Sequence, residues 1–182
     1  MGRIWNEIDS KLKEFMESSP VFFVATAPLS ENGHVNCSPK GNRGELVVLG
    51  QKSVAYLDQT GSGIETVSHL SENGRITLMF CAFVGPPRIV RIHGSGSVIK
   101  RDEPSFAEMI YHFKDPATIG ARSIVVVESE RISDSCGYGV PLMDFVSHRD
   151  QMNDSASRKG EDGIRKYWME KNQTSIDGLP GL

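Results

Sequence analysis

VFFVATAPLSENGHVNCSPKG, residues 21–41, marks this chain as built on a β-sheet with a chemically equipped edge. Residues 21–27 are a short, almost unbroken apolar run rich in Val and Phe, the pattern of a buried strand. Residues 28–33 turn the chain through an Asn-Gly step, which favours a hairpin. The return strand, 34–38, is polar, with Asn36 and Ser38 on one face and Val35 and Cys37 on the other. Pro39 is expected to end it and to hold Lys40 projecting from the strand end. A hydroxyl beside an ammonium suits a phosphate, the one giving a directional hydrogen bond and the other a charge. The same residues also describe a polar hairpin end with a solvated lysine.

A second segment of this kind is YLDQTGSGIET, residues 56–66. Thr60, Ser62 and Thr66 surround Gly61 and Gly63 just ahead of a helix whose apolar face carries Ile64, Val67 and Leu70. Backbone amides at such a Gly-rich helix start form an anion site. The third glycine of a dinucleotide fingerprint is missing, and no Gly-Lys-Ser/Thr triplet closes a Walker loop. An ordinary N-cap by Thr60 or Ser62 is the alternative, and capping and phosphate binding can coexist. Tyr56 and Asp58 share one strand face, where Asp58 either bonds a ligand ring or begins a turn. Asn73-Gly74 reads as the C-cap of the helix.

Around these segments, residues 3–17 carry Ile4, Ile8, Leu12, Phe15 and Met16 at helical spacing. Residues 45–49 and 53–57 pair across a turn at 50–52. Strands follow at 75–83, 88–100 and 123–132, with Gly94 and Gly96 marking a bend or bulge. A helix is expected over 103–113 and another in the polar tail 147–172, anchored by Ile164, Tyr167 and Trp168. Arg88 and Arg91 lie three apart on an apolar strand and so point to opposite faces. An inward Arg91 would need a partner, a ligand anion or a structural carboxylate.

Bulk properties narrow the function classes. At 182 residues the chain suits one domain with a real core, taken here as a body over 1–146 and a helical tail over 147–182 packing on it or on a partner. A net charge of −3 with scattered Lys and Arg argues against a nucleic-acid partner. Cys37, Cys81 and Cys136 show no ligand spacing, and neither do His34, His69, His93, His112 and His148, so no metal site is expected. No apolar run is long enough to span a membrane, and no secretory leader is read at the N-terminus; a soluble, cytoplasmic protein with reduced thiols is expected.

Taken together, FFVATAPLSENGHVNCSPKG, AYLDQTGSGIET, NGRITLMFCAF and GPPRIVRIHGSG resemble the pyridoxamine 5'-phosphate oxidase-like FMN-binding family, most of all its small single-domain members. The resemblance implies a β-dominated α+β fold, a split β-barrel with an N-terminal helix, inserted short helices and a C-terminal helical tail. It also implies a homodimer with FMN in clefts at the subunit interface. By position, Asn36, Ser38 and Lys40 would lie along the flavin. Tyr56, Asp58, Thr60, Gly61, Ser62 and Thr66 would fall in the segment around its phosphate, and Arg88 or Arg91 would reach across the interface. The sequence departs from true vitamin oxidases: VNCSPK and GSGIET stand where an Arg-rich block and a Ser-Arg-Lys run are found. The expected function is thus an FMN-dependent oxidoreductase acting on a small molecule, with vitamin B6 oxidation not carried over. The alternative is a non-catalytic carrier of flavin or of another planar cofactor such as haem or a deazaflavin.

Overall fold

The computed structural model describes residues 2–114 and 118–182. Its centre is one curled, wholly antiparallel sheet, a split β-barrel, with four α-helices around it. The elements run β1 (Ile4–Trp5), α1 (Ser10–Ser18), β2 (Phe22–Thr26), β3 (Asn36–Lys40), β4 (Leu46–Val48), β5 (Ser53–Gln59), α2 (Glu65–Asn73), β6 (Arg75–Cys81), β7 (Ile89–Lys100), α3 (Pro104–Met109), β8 (Ala121–Ser135) and α4 (Gln151–Lys171). Strand order is β3-β2-β6-β7-β8-β5-β4, and β1 pairs with the far end of β8. The two longest strands, β7 and β8, pair along almost their whole length and form the spine.

Alternation sets the barrel interior. Phe22, Val24 and Thr26 of β2 are buried between half-exposed neighbours, and β6 repeats the pattern with Ile76, Leu78 and Phe80. Phe22 stacks on Phe80 at 5.4 Å between ring centroids and meets the Tyr56 ring edge-on at 5.6 Å. Ile8, Leu12 and Met16 close this core from one end. β5 is buried on both faces: Val54 and Tyr56 join the barrel core, while Ala55 and Leu57 face a second cluster with Phe106, Phe113 and Ile124. The bulge expected around the strand glycines lies between His93 and Gly94. A Cβ on Gly94 would come within 2.0 Å of the Glu128 carbonyl oxygen. Gly94→Ala is therefore expected to lower stability by about 1–3 kcal/mol, read as a shift in the denaturant midpoint with an unchanged slope.

Several local expectations change. Ile4 and Trp5 belong to a strand rather than to the first helix, because Asp9 Oδ1 accepts the Leu12 amide at 2.8 Å and caps the helix at Ser10. β3 runs through Pro39 to Lys40 instead of stopping, since β3 is an edge strand and needs no N–H on its outer side. The helix after β7 is short and closes in a 3₁₀ turn, Ile110–His112. Gly74 ends α2 in the left-handed region (φ 71°), as its Asn-Gly signal implied. The tail helix α4 is kinked at Gly160 (φ 62°) and buries Ala156, Ile164 and Trp168 against Ile119 and Leu182. Among the described residues, no helix is long and apolar enough to cross a membrane.

Candidate functional site

A cavity of about 1010 Å³ opens where β3, the end of β5 and the start of α2 converge. Asn36, Ser38 and Lys40 share one face of β3 and line it, and loop 60–63 contributes Thr60, Gly61 and Gly63. Thr66 lies on the first turn of α2 and Arg122 at the start of β8. The opposite wall is the extended segment before α4, with Met143, Phe145, His148, Arg149 and Met152.

The electrostatic anchor is Asp58, fully buried at the end of β5. Its Oδ1 accepts from Lys40 Nζ at 3.0 Å and its Oδ2 from Arg122 Nε at 2.6 Å. Burial alone would raise the carboxyl pKa. The Lys40 and Arg122 charges, with their hydrogen bonds, outweigh that and bring it from 3.8 to about 2. Both cations reach the cavity wall, which also carries the carboxylates of Glu45 and Glu65. Arg122 also donates to the Gly61 carbonyl at 3.2 Å, tying the loop to the pair.

Hydroxyl protons are unevenly committed. Ser38 Oγ donates to Asn36 Oδ1 (3.1 Å), and Asn36 Nδ2 donates to Thr66 Oγ1 (3.0 Å). Thr66 is thereby an acceptor, leaving its own proton for a ligand. Thr60 Oγ1 donates to the Gly120 carbonyl at 2.7 Å and accepts from Trp168 Nε1 at 2.8 Å, so its role is to fix the loop. No side chain caps α2 among the described residues: Ile64 is the N-cap, and neither Thr60 nor Ser62 fills that role. First-turn amides without intrahelical partners remain as donors. Glu65 balances them in part, its carboxylate beside Gly63 and accepting the Ile176 amide at 3.3 Å. Burial pushes the Glu45 carboxyl up, opposed by its bonds to Asn42, and both its oxygens are occupied by the Asn42 amide and side chain.

The remaining sequence-derived positions lie apart from the cavity lining. Tyr56 is buried beneath it, its phenol pushed up by burial and its ring 5.9 Å from Lys40 Nζ. Ser62 turns its carbonyl to Asn172 at 3.4 Å. Arg88 pairs with Asp134 (3.3 Å) and stacks over Trp5 and Phe15, while Arg91 donates to Ser135 Oγ (3.2 Å); neither lines this chain's cavity. Local sequence patterns do not mark Arg122 or the 143–152 wall as site residues. A lone arginine opening the strand ARSIVVV had to find a buried partner, and that signal was available. His148 donates Nδ1–H to the Gly41 carbonyl (2.7 Å) and packs against Phe145 at 4.8 Å. Nothing in the sequence spacing marks this contact.

A split barrel with a cavity of small-molecule size and a Lys40–Asp58–Arg122 ion group at one end defines the class of protein. The chain belongs to the pyridoxamine 5'-phosphate oxidase family, whose model matches residues 8–136. It is 37% identical over 198 aligned residues to the pyridoxamine 5'-phosphate oxidase family protein ustO of Aspergillus flavus, a match covering all of this chain and 78% of that protein. Among solved structures it is similar in fold to HupZ from group A Streptococcus (TM-score 0.53, 19% identity, 69% of this chain and 91% of that one). It is likewise similar to an FMN-binding protein from Syntrophomonas wolfei (TM-score 0.52, 15% identity, 70% and 88%).

Proposed function

We propose that this protein binds FMN in the cavity between β3, loop 60–63 and residues 143–152, and uses it as an oxidoreductase on a small molecule. The carrying observation is the buried Asp58, which holds Lys40 and Arg122 together at the uncapped start of α2. That donor set fits a phosphate: two cations, the Thr66 hydroxyl and first-turn amides. The volume fits as well. Small-molecule pockets span roughly 300–1,000 Å³, and about 1010 Å³ accommodates a flavin with a second small ligand. The Phe145–His148 pair and the Met143 and Met152 side chains supply an apolar, aromatic wall suited to a planar ring.

Bound FMN supplies hydride or electron transfer, chemistry that needs no catalytic side chain from the protein. Lys40 and Arg122 hold the phosphate end, Thr66 donates a hydrogen bond there, and Asn36 orients Thr66. Residues 143–152 form one side of the cavity. A homodimer belongs to this reading. Tyr138, Leu142, Phe145 and Val146 are all more than half exposed on one extended segment, a surface suited to a second copy of the chain. A carrier without turnover is the second reading, favoured by Glu45, a buried acid of the wall, having both oxygens bound to Asn42.

Purified protein reconstituted with FMN is expected to show a flavin absorption band at one FMN per chain and to elute as a dimer. Bleaching of the band by NAD(P)H with recovery in air supports turnover. Stable colour that neither nucleotide bleaches supports the carrier, and absence of any flavin complex removes both.

A further inference from the structure

The end of α4 reaches across the molecule to loop 60–63. Trp168, 8% exposed, donates Nε1–H to Thr60 Oγ1 at 2.8 Å. Asn172, fully buried, donates to the Gly61 carbonyl at 2.9 Å and at 3.4 Å to that of Ser62. Thr60 passes the constraint on, its hydroxyl and its amide both donating to the Gly120 carbonyl. Asn172 is itself locked from behind. The Leu182 amide donates to its carbonyl at 3.0 Å, and a Cβ on Gly181 would come within 2.2 Å of that oxygen.

A peptide unit is planar and trans, so its C=O and the next N–H point in opposite directions. Holding the Gly61 carbonyl between Asn172 and Arg122, and the Ser62 carbonyl toward Asn172, therefore turns the Ser62 and Gly63 amides away from those donors. Left alone, a Gly-Ser-Gly loop would sample many conformations and would lose that entropy on binding an anion. The three tail bonds, together with the Arg122 bond to the same Gly61 carbonyl, remove that freedom beforehand.

We propose that Trp168 and Asn172 are positioning residues for the phosphate end of the cofactor, giving the site its preference for a phosphorylated over an unphosphorylated flavin. The proposal rests on the FMN reading above. Neither residue touches the ligand. Both act through Thr60 and Gly61, and their effect is confined to the part of the affinity that depends on phosphate.

The test is the full-length protein with Trp168→Phe and, separately, Asn172→Ala. FMN and riboflavin dissociation constants are measured by quenching of flavin fluorescence, with circular dichroism and melting as checks of folding. Each variant is expected to weaken FMN by about tenfold, the size of one to two net hydrogen bonds, and to leave riboflavin within about twofold. Thr60→Val and Thr60→Ser read the same bond from the other side, so a poorly folded tail variant does not end the test: valine is expected to lose the FMN preference and serine to keep it. If the wild type binds both flavins equally, the phosphate assignment fails and this proposal with it. A wild-type preference that survives in every variant leaves the FMN reading standing and overturns the positioning role. Parallel weakening of both flavins also overturns it, since that is what general loss of packing produces.

Discussion

Asp58→Asn is expected to lower the stability of the protein by about 3–5 kcal/mol at neutral pH, the usual consequence of removing one member from a buried ionic group. Asp58 is fully buried, with Lys40 and Arg122 bound to separate oxygens. The amide keeps the shape but leaves two cations without their counter-charge. The same carboxyl gives a pH signature. Its folded value of about 2 lies below the ordinary 3.8, so the native state holds the proton less readily than the unfolded chain. A depressed carboxyl stabilises fully above the unfolded value, and that stabilisation disappears as pH falls through about 4 toward 2. At about 1.4 kcal/mol per pH unit, the loss amounts to about 2–3 kcal/mol. Denaturant titrations at pH 7 and in steps from 5 to 2 check both statements. The Asp58→Asn variant should give a flatter curve over that acid range, and an unchanged acid limb would show that Asp58 is not its source.

Lys40→Met is expected to weaken FMN by roughly tenfold to a hundredfold, the range for losing a hydrogen bond to a charged group. Methionine keeps much of the length and apolar stem of lysine but loses the ammonium that stands 5.9 Å from the Tyr56 ring centroid. The charge is what goes. An ammonium facing a phosphate also makes affinity depend on ionic strength, and that dependence should be shallower in the variant. Titration calorimetry with FMN at low and moderate salt measures both quantities. Equal affinity and equal salt dependence in the two proteins would remove Lys40 from the phosphate site.

Much of this architecture is legible from periodicity. The strands β2 and β6, the Asn-Gly cap of α2 and the glycine bulge of β7 all follow from local rules, and the structure contains each, although the apolar run of β2 turns out to alternate between buried and half-exposed residues. Where local rules compete, the sequence is less informative. Ile4 and Ile8 share a helical stripe, yet the Asp9 cap and an open edge of β8 place Ile4 in a strand. Pro39 reads as a strand end because nothing local reveals that β3 lies at the rim. The cavity follows the same division. Residues on β3 and at the start of α2 are close in sequence to recognisable motifs. Arg122, Trp168, Asn172 and His148 reach their partners across 61 to 111 positions of chain, and such contacts depend on topology rather than on spacing.

Pro39 also bears on how copies of this chain can meet. An edge strand offers its outer N–H and C=O groups to any extended segment that approaches, which is how sheets fuse into fibres. On β3 that row is interrupted at Pro39, which has no hydrogen to give, and beside it Lys40 is held inward by Asp58. Strand addition along this rim would lose a ladder bond just where the cavity opens. The proline thus makes the rim beside the cavity mouth a poor template for a neighbour's strand.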